Sequence, residues 1–160
     1  MDGRKRLVVI GNGMAGTRVV QEILSRDRER FHVVMFGAEP YGNYDRTLLS
    51  DVLTGSKDVK QIFLNSLDWY RDNDIVLHAG LAATAIDRNN KVVRGDGGVE
   101  ESYDTLIIAT GSRPLVPPIE GVEKAGVFVF RTLDDCQAID RKSTRLNSSH
   151  SDRSRMPSSA

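Results

Sequence analysis

Three closely spaced glycines are the first residues whose arrangement points to chemistry. Gly11, Gly13 and Gly16, in Gly11-Asn12-Gly13-Met14-Ala15-Gly16, fit the spacing G-x-G-x-x-G. That spacing serves phosphate binding. The first glycine permits a tight turn after a strand, the second lets the backbone approach a pyrophosphate, and the third lets a helix lie close to the strand. Met14, Ala15 and Gly16 open the helix, so their amides offer unpaired N–H groups and the positive dipole end to the phosphates. Glu39 stands 23 positions after Gly16. A carboxylate at the end of the next strand accepts hydrogen bonds from ribose hydroxyls and repels a 2′-phosphate. Glycine-rich turns also arise by chance, and a solvated loop carboxylate before Pro40 is the plain alternative for Glu39. The weight of the pattern therefore rests on the elements around it.

Residues 4–10 end in Leu7-Val8-Val9-Ile10, the unbroken apolar run of a buried parallel strand. From Met14 to about Ser25, Val19, Val20, Ile23 and Leu24 recur at helical spacing, and residues 32–36 read as a second buried strand. Strand, glycine turn, helix and strand make a βαβ unit with a right-handed crossover. Short helices are expected at 47–53 and 67–72, and a short strand at 75–78. Residues 81–87 and 91–94 flank Arg88-Asn89-Asn90 as a hairpin, and 99–102 follow a second turn at Asp96-Gly97-Gly98. These segments predict a small antiparallel meander inserted into the parallel sheet. Residues 105–109 read as another buried parallel strand, and 127–130 as a last strand. A helix begins at 132–139 and is cut short by the tail. The fold class is α/β, Rossmann-like.

Thr105-Leu106-Ile107-Ile108-Ala109-Thr110-Gly111, followed by Ser112-Arg113-Pro114, resembles the ATG segment of the two-dinucleotide flavoprotein reductases, the pyridine nucleotide-disulfide oxidoreductase superfamily. The meander before it is a trait of the same superfamily. Within it, LVVIGNGMAG (7–16), NYDRTLLSDVL (43–53), DWYRDNDI (68–75) and TGSRP (110–114) are most similar to the N-terminal FAD-binding part of NAD(P)H-nitrite reductase large subunits. Rubredoxin and ferredoxin reductases come next, and the resemblance covers residues 4–140. It implies a truncated FAD-binding domain with FAD held at Gly11, Gly13, Met14, Ala15, Gly16 and Glu39. It also implies that Thr110 and Gly111 pass close to the FAD and that Ala83 contacts adenine through its backbone. Arg131 matches a flavin-contacting arginine. Arg46 is placed at the flavin edge or pyrophosphate, with a surface ion pair to Asp45 as the alternative. In the full-length parent, NAD(P)H reduces the FAD and electrons pass to a further redox centre. An iron–sulfur cluster and sirohaem belong to later domains if the parent is a nitrite reductase. The implied partner is the C-terminal remainder of the parent or a redox partner protein.

Two departures bear on this. Val20 stands four positions after the third glycine, where many flavin fingerprints have Gly or Ala. The stretch YGNYDRTLLSDVL (41–53) has no cysteine, although disulfide reductases of the superfamily carry a C-x-x-x-x-C pair there. No catalytic residue is assigned. The rival readings are a rubredoxin- or ferredoxin-type reductase and a non-catalytic truncated product.

Composition sets outer bounds. The 160 residues carry 22 Lys+Arg and 22 Asp+Glu, a zero net charge that argues against a broad basic surface for nucleic acid. One cysteine excludes an internal disulfide framework or a cysteine-rich metal cluster built from this chain alone. With neither 18 consecutive apolar residues nor a signal-peptide core before Gly11, a soluble cytoplasmic protein with no membrane partner is expected. Residues 141–160 hold seven serines, four arginines and three apolar side chains, which predicts a disordered tail. KSTRLNSSH (142–150) resembles translated sequencing-adaptor read-through, so residues 1–140 are expected to be the partial FAD-binding domain, in a natural protein that continued past Asp140. Cys136 is expected to be a buried small hydrophobe, His78 structural, and Trp69 and Tyr70 packing residues.

Overall fold

The sheet grows outward from β1 (Lys5–Ile10), with α1 (Met14–Arg26) leading into β2 (Phe31–Gly37). Next come α2 (Leu49–Leu53), α3 (Leu67–Asp72) and β3 (Ile75–Ala79). Strands β4 (Ala83–Asp87), β5 (Val92–Gly95) and β6 (Glu100–Ser102) precede β7 (Thr105–Ile108), and α4 (Leu133–Ser151) comes last. A computed structural model describes residues 3–151, and side chains for residues 3–142. Within it, residues up to Asp45 together with Phe63–Ser112 form one compact unit. Arg46–Ile62 and the described residues from Arg113 onward form another.

In the first unit β1, β2, β3 and β7 make a parallel sheet in the order β3-β2-β1-β7. The apolar run in β1 is unbroken because both faces of the sheet are covered. Leu7 and Val9 join Val33, Met35 and Ile75 on one face, against Val20 of α1 and Tyr70 of α3. Val8 and Ile10 join Val34 and Phe36 on the other, against Val93 of β5. Burying each such side chain contributes roughly 1.5–3 kcal/mol relative to exposure. The meander follows β3 in the chain as expected, with antiparallel pairs β4–β5 and β5–β6, but it forms its own three-stranded sheet. His78 is structural: its ring lies 4.9 Å from Phe36, and its Nε2 is 2.7 Å from Glu101 Oε1. Glu101 also pairs with the Arg6 guanidinium, tying β6 to β1 and β3.

In the second unit, α4 begins with a reciprocal cap. Thr132 N donates to Asp135 Oδ2 (2.8 Å), and Asp135 N donates to Thr132 Oγ1 (3.1 Å). Leu133 and Cys136 are buried, with Cys136 Sγ 3.7 Å from Leu49 O of α2.

Three expectations are corrected. Residues 127–130 are not a strand. They carry only the isolated bridge Ala125↔Val127 and remain 37–52% exposed, because a strand requires a hydrogen-bonded neighbour and the described residues supply none. Strand β7 is not fully buried. Among the described residues it pairs with β1 alone, at the sheet edge, and Ile108 is 62% exposed. The tail does not cut α4 short: residues 141–151, expected to be disordered, continue the helix, and no Gly or Pro lies between Leu133 and Pro157 to break it. Residues 152–160 of that tail lie outside the described residues. No helix among the described residues is long and apolar enough to cross a membrane.

Candidate functional site

Parallel pairing fixes where the chain can bind a ligand. Ile10 lies beside Phe36 on one side and Ile108 on the other, and Gly37 lies beside Ala79. The glycine loop, the segment leading to Glu39, the Gly80 turn and Thr110-Gly111 therefore all leave from the carboxyl edge of the sheet. That edge is where open α/β sheets bind ligands.

The three glycines have different physical reasons. Gly11 has φ +116° and donates its N–H to Phe36 O at 2.9 Å. A Cβ there would run into Ala109 O, and a Cβ on Gly16 would run into Gly11 O with Ala109 Cβ at 3.4 Å behind it. These two glycines let the loop, α1 and the end of β7 touch. Gly13 has ordinary extended backbone (φ −84°, ψ −177°), and a Cβ on it would meet nothing within 4 Å. The space over Gly13 is open. Gly13 is also the N-cap of α1, with no side chain capping it and no acidic residue in the first turn. The first intrahelical bond is Thr17 N to Gly13 O at 3.1 Å, so the N–H groups of Met14, Ala15 and Gly16 precede any intrahelical acceptor. Open space in front of unpaired amides at a positive helix end is a cradle for a phosphate. These residues fit the pyrophosphate of a dinucleotide.

Glu39 lies two residues beyond β2. Its Oε2 accepts a 2.6 Å hydrogen bond from Tyr44 Oη, and its carbonyl accepts from Gly80 N at 3.0 Å. Tyr44 is buried and stands edge-on to Phe63, so the carboxylate is oriented by a fixed ring. Ala83, three residues past Gly80, starts β4 opposite Gly95 and packs beside the Val93 cluster. Thr110 and Gly111 are exposed, with Gly111 at φ +73°. Arg46 and Arg131 belong to the second unit, where Arg46 Nη1 donates to Arg131 O at 3.1 Å. Arg131 N donates in turn to Asp135 Oδ2 at 3.0 Å.

Sequence reasoning missed Asn12, Thr17, Tyr44 and the hydroxyl of Tyr70. Tyr70 Oη donates to Asn12 Oδ1 at 2.6 Å across 58 residues, and Asn12 Nδ2 donates to Tyr41 O at 3.1 Å. Burial pushes the Tyr70 hydroxyl above the usual tyrosine range, against smaller opposing effects from Thr17, Asn43 and Asn12, and so favours the O–H donor. No local spacing signals these pairs. Asn43 Oδ1 is buried without a hydrogen-bond partner among the described residues. Burial, then the Asp140 charge, pushes the Cys136 thiol up, away from thiolate chemistry. No group of three or more His, Cys, Asp or Glu among the described residues could hold a metal ion. With a single buried cysteine, these residues do not fit an iron–sulfur cluster or sirohaem.

A family profile described as pyridine nucleotide-disulphide oxidoreductase matches residues 5–153. The chain is 48% identical over 133 residues to a nitrite reductase [NAD(P)H] of Bacillus subtilis strain 168, covering 83% of the chain and 16% of that relative. It is 48% identical over 136 residues to the assimilatory nitrate reductase electron transfer subunit of the same organism, covering 85% of the chain and 18% of that relative. The chain thus spans less than a fifth of the length of these two relatives. Among solved structures, NADH:rubredoxin oxidoreductase from Clostridium acetobutylicum superposes with a TM-score of 0.77 at 27% identity. That match covers 89% of this chain and 36% of the other.

Proposed function

The chain belongs to the pyridine nucleotide-disulphide oxidoreductase family, and from that premise we propose that it is the FAD-binding portion of an NAD(P)H-dependent oxidoreductase of the nitrite-reductase large-subunit type. The observation that carries the cofactor is the open space over Gly13 at the uncapped start of α1. Gly11 and Gly16 close the loop against β7, and the amides of Met14, Ala15 and Gly16 hold the pyrophosphate. Glu39, aimed by Tyr44, accepts from the ribose hydroxyls. Ala83 offers its backbone to the adenine, and Thr110 and Gly111 complete the contacts from the first unit. Residues 1–140 form this partial domain, and 141–160 are foreign to it.

Bound FAD supplies the capacity to take a hydride from a nicotinamide and release electrons onward. The chain's own residues bind and orient it. With one cysteine and none in residues 41–53, the chain has no internal dithiol to receive the electrons, so they leave for a further redox centre, a partner protein or a small acceptor. The two relatives at 48% identity favour a nitrite- or nitrate-assimilating parent. Likeness to the rubredoxin oxidoreductase supports a second reading with the same FAD portion and a different acceptor. The parent gene past codon 140 separates them by the presence or absence of iron–sulfur and sirohaem ligands.

Parallel titrations test the cofactor. FAD, followed by quenching of its fluorescence, should bind the chain more tightly than NADH. Tight NADH binding with no response to FAD overturns the proposal in favour of a nicotinamide-binding domain.

A further inference from the structure

Asn12, between the first two glycines, is held at both ends of its amide. Its Oδ1 accepts from Tyr70 Oη at 2.6 Å and from Thr17 Oγ1 at 3.3 Å, and its Nδ2 donates to Tyr41 O at 3.1 Å. The carbonyl of Tyr41 can only accept, so a flipped amide would set Oδ1 against that oxygen and lose the bond that fixes the side chain's orientation. On another side, a Cβ on Gly37 would stand only 2.9 Å from Asn12 Cβ, so the end of β2 leaves little room for the side chain to move. Tyr70 itself cannot drift. It is 1% exposed, its ring belongs to the core with Leu7, Val9 and Met35, and it stands at 89° to Trp69 with centroids 5.0 Å apart. A phenylalanine would fill the same apolar space. Beyond packing, the hydroxyl connects the rigid core to the glycine loop.

We propose that Tyr70 is a positioning residue for the dinucleotide, acting through Asn12 to hold the Gly11–Gly16 loop in the shape that keeps the space over Gly13 open. The proposal rests on the phosphate-cradle reading above and extends it to a residue on α3 that has no place in the glycine pattern. Asn12 reads the position of the core at its carbonyl end and that of the Tyr41 loop at its amide end. The flanking glycines have no side chains of their own to restrain the loop. Without the Tyr70 bond, Asn12 keeps a weaker hold through Thr17, and the loop samples conformations in which the first-turn amides no longer converge.

The test is a double-mutant cycle in the 160-residue chain with Tyr70→Phe, Asn12→Ala and the double variant. FAD affinity is read by fluorescence quenching, the bound flavin's visible circular dichroism is recorded, and the cofactor-free unfolding midpoint in urea is measured alongside. Tyr70→Phe should weaken FAD binding about two- to tenfold, the scale of one neutral hydrogen bond. It should also change the flavin's dichroism, and it should add nothing in the Asn12→Ala background. If Asn12→Ala does not fold, Asn12→Ser, too short to reach Tyr70, takes its place. Unchanged FAD affinity in Tyr70→Phe with a lowered urea midpoint reduces Tyr70 to a packing residue and overturns the proposal. Additive losses overturn the route through Asn12. Failure of the unsubstituted chain to bind FAD is a different result: it removes the cofactor reading itself, and this inference with it.

Discussion

Gly13 and Gly16 sit three residues apart in one motif, yet the structure assigns them opposite consequences when each is replaced by alanine. At Gly13 the backbone is extended and a Cβ meets nothing within 4 Å, so the cofactor-free fold tolerates the methyl group. The cost is that of a poorer N-cap, from a few tenths to about 1 kcal/mol. At Gly16 the helix itself favours alanine by about 1 kcal/mol. Against that, the Cβ would drive into the Gly11 carbonyl oxygen with Ala109 Cβ at 3.4 Å behind it. The nearer obstacle is main chain, which cannot swing aside as a flexible side chain can, and this places the strain at the upper end of the roughly 1–3 kcal/mol typical of overpacking. The net effect of Gly16→Ala is a loss of about 2 kcal/mol. Urea unfolding of the cofactor-free chains should therefore leave the Gly13→Ala midpoint near that of the unsubstituted protein and lower that of Gly16→Ala. FAD titration should separate them differently. The Gly13 methyl group stands where the pyrophosphate must come, and charge-assisted hydrogen bonds are worth about 1.5–3 kcal/mol each, so affinity should fall at least about tenfold. Full FAD affinity in Gly13→Ala, or a stability loss equal to that of Gly16→Ala, would refute the cradle.

Glu39→Gln keeps the shape of the side chain but removes the charge that favours ribose donors, and FAD affinity should fall roughly ten- to a hundredfold; Tyr44→Phe, which keeps the carboxylate and removes the Tyr44 hydrogen bond to it, should cost less in the same titration. Because burial raises the Cys136 pKa in the folded state, its contribution to stability should be complete below the ordinary thiol range and be lost as pH rises through the folded value. Urea midpoints of the unsubstituted chain and Cys136→Ala should accordingly run parallel at neutral pH and converge or cross in alkali, and a pH-independent difference would contradict the shift. Truncation after Lys142 keeps that side chain's bond to Ala125 O and should change the midpoint by less than about 0.5 kcal/mol; a loss of several kcal/mol would show that residues 143–160 pack against the domain.

What could be read from the sequence was local. The path from β1 through the glycine loop and α1 to β2 is written in patterns that repeat over two to four residues, and the hairpin of β4 and β5 is marked by the polar turn between them. Backbone geometry and nearest-neighbour sterics decide such features, so they were legible without a partner in view. The glycine loop and Glu39 were identified for the same reason: their spacing is a property of one βαβ unit.

Tertiary structure alone decided what depends on distant neighbours. An apolar run announces a strand but not who covers it. Residues 105–108 and 127–130 are both apolar runs, yet the first pair with β1 at an exposed edge and the second find no strand to pair with among the described residues. The helix expected to stop near Asp140 continues to Ser151, because composition is a weak guide where nothing breaks the backbone pattern. Within the site, the division of labour among Gly11, Gly13 and Gly16 became visible only once β7 lay against the loop. The aim of Glu39 came from Tyr44, and the hold on Asn12 from Tyr70, 58 residues away. A hydrogen bond needs two groups within about 3 Å with their lone pair and proton aligned. Sequence names the groups, and only the packed chain brings them to that distance.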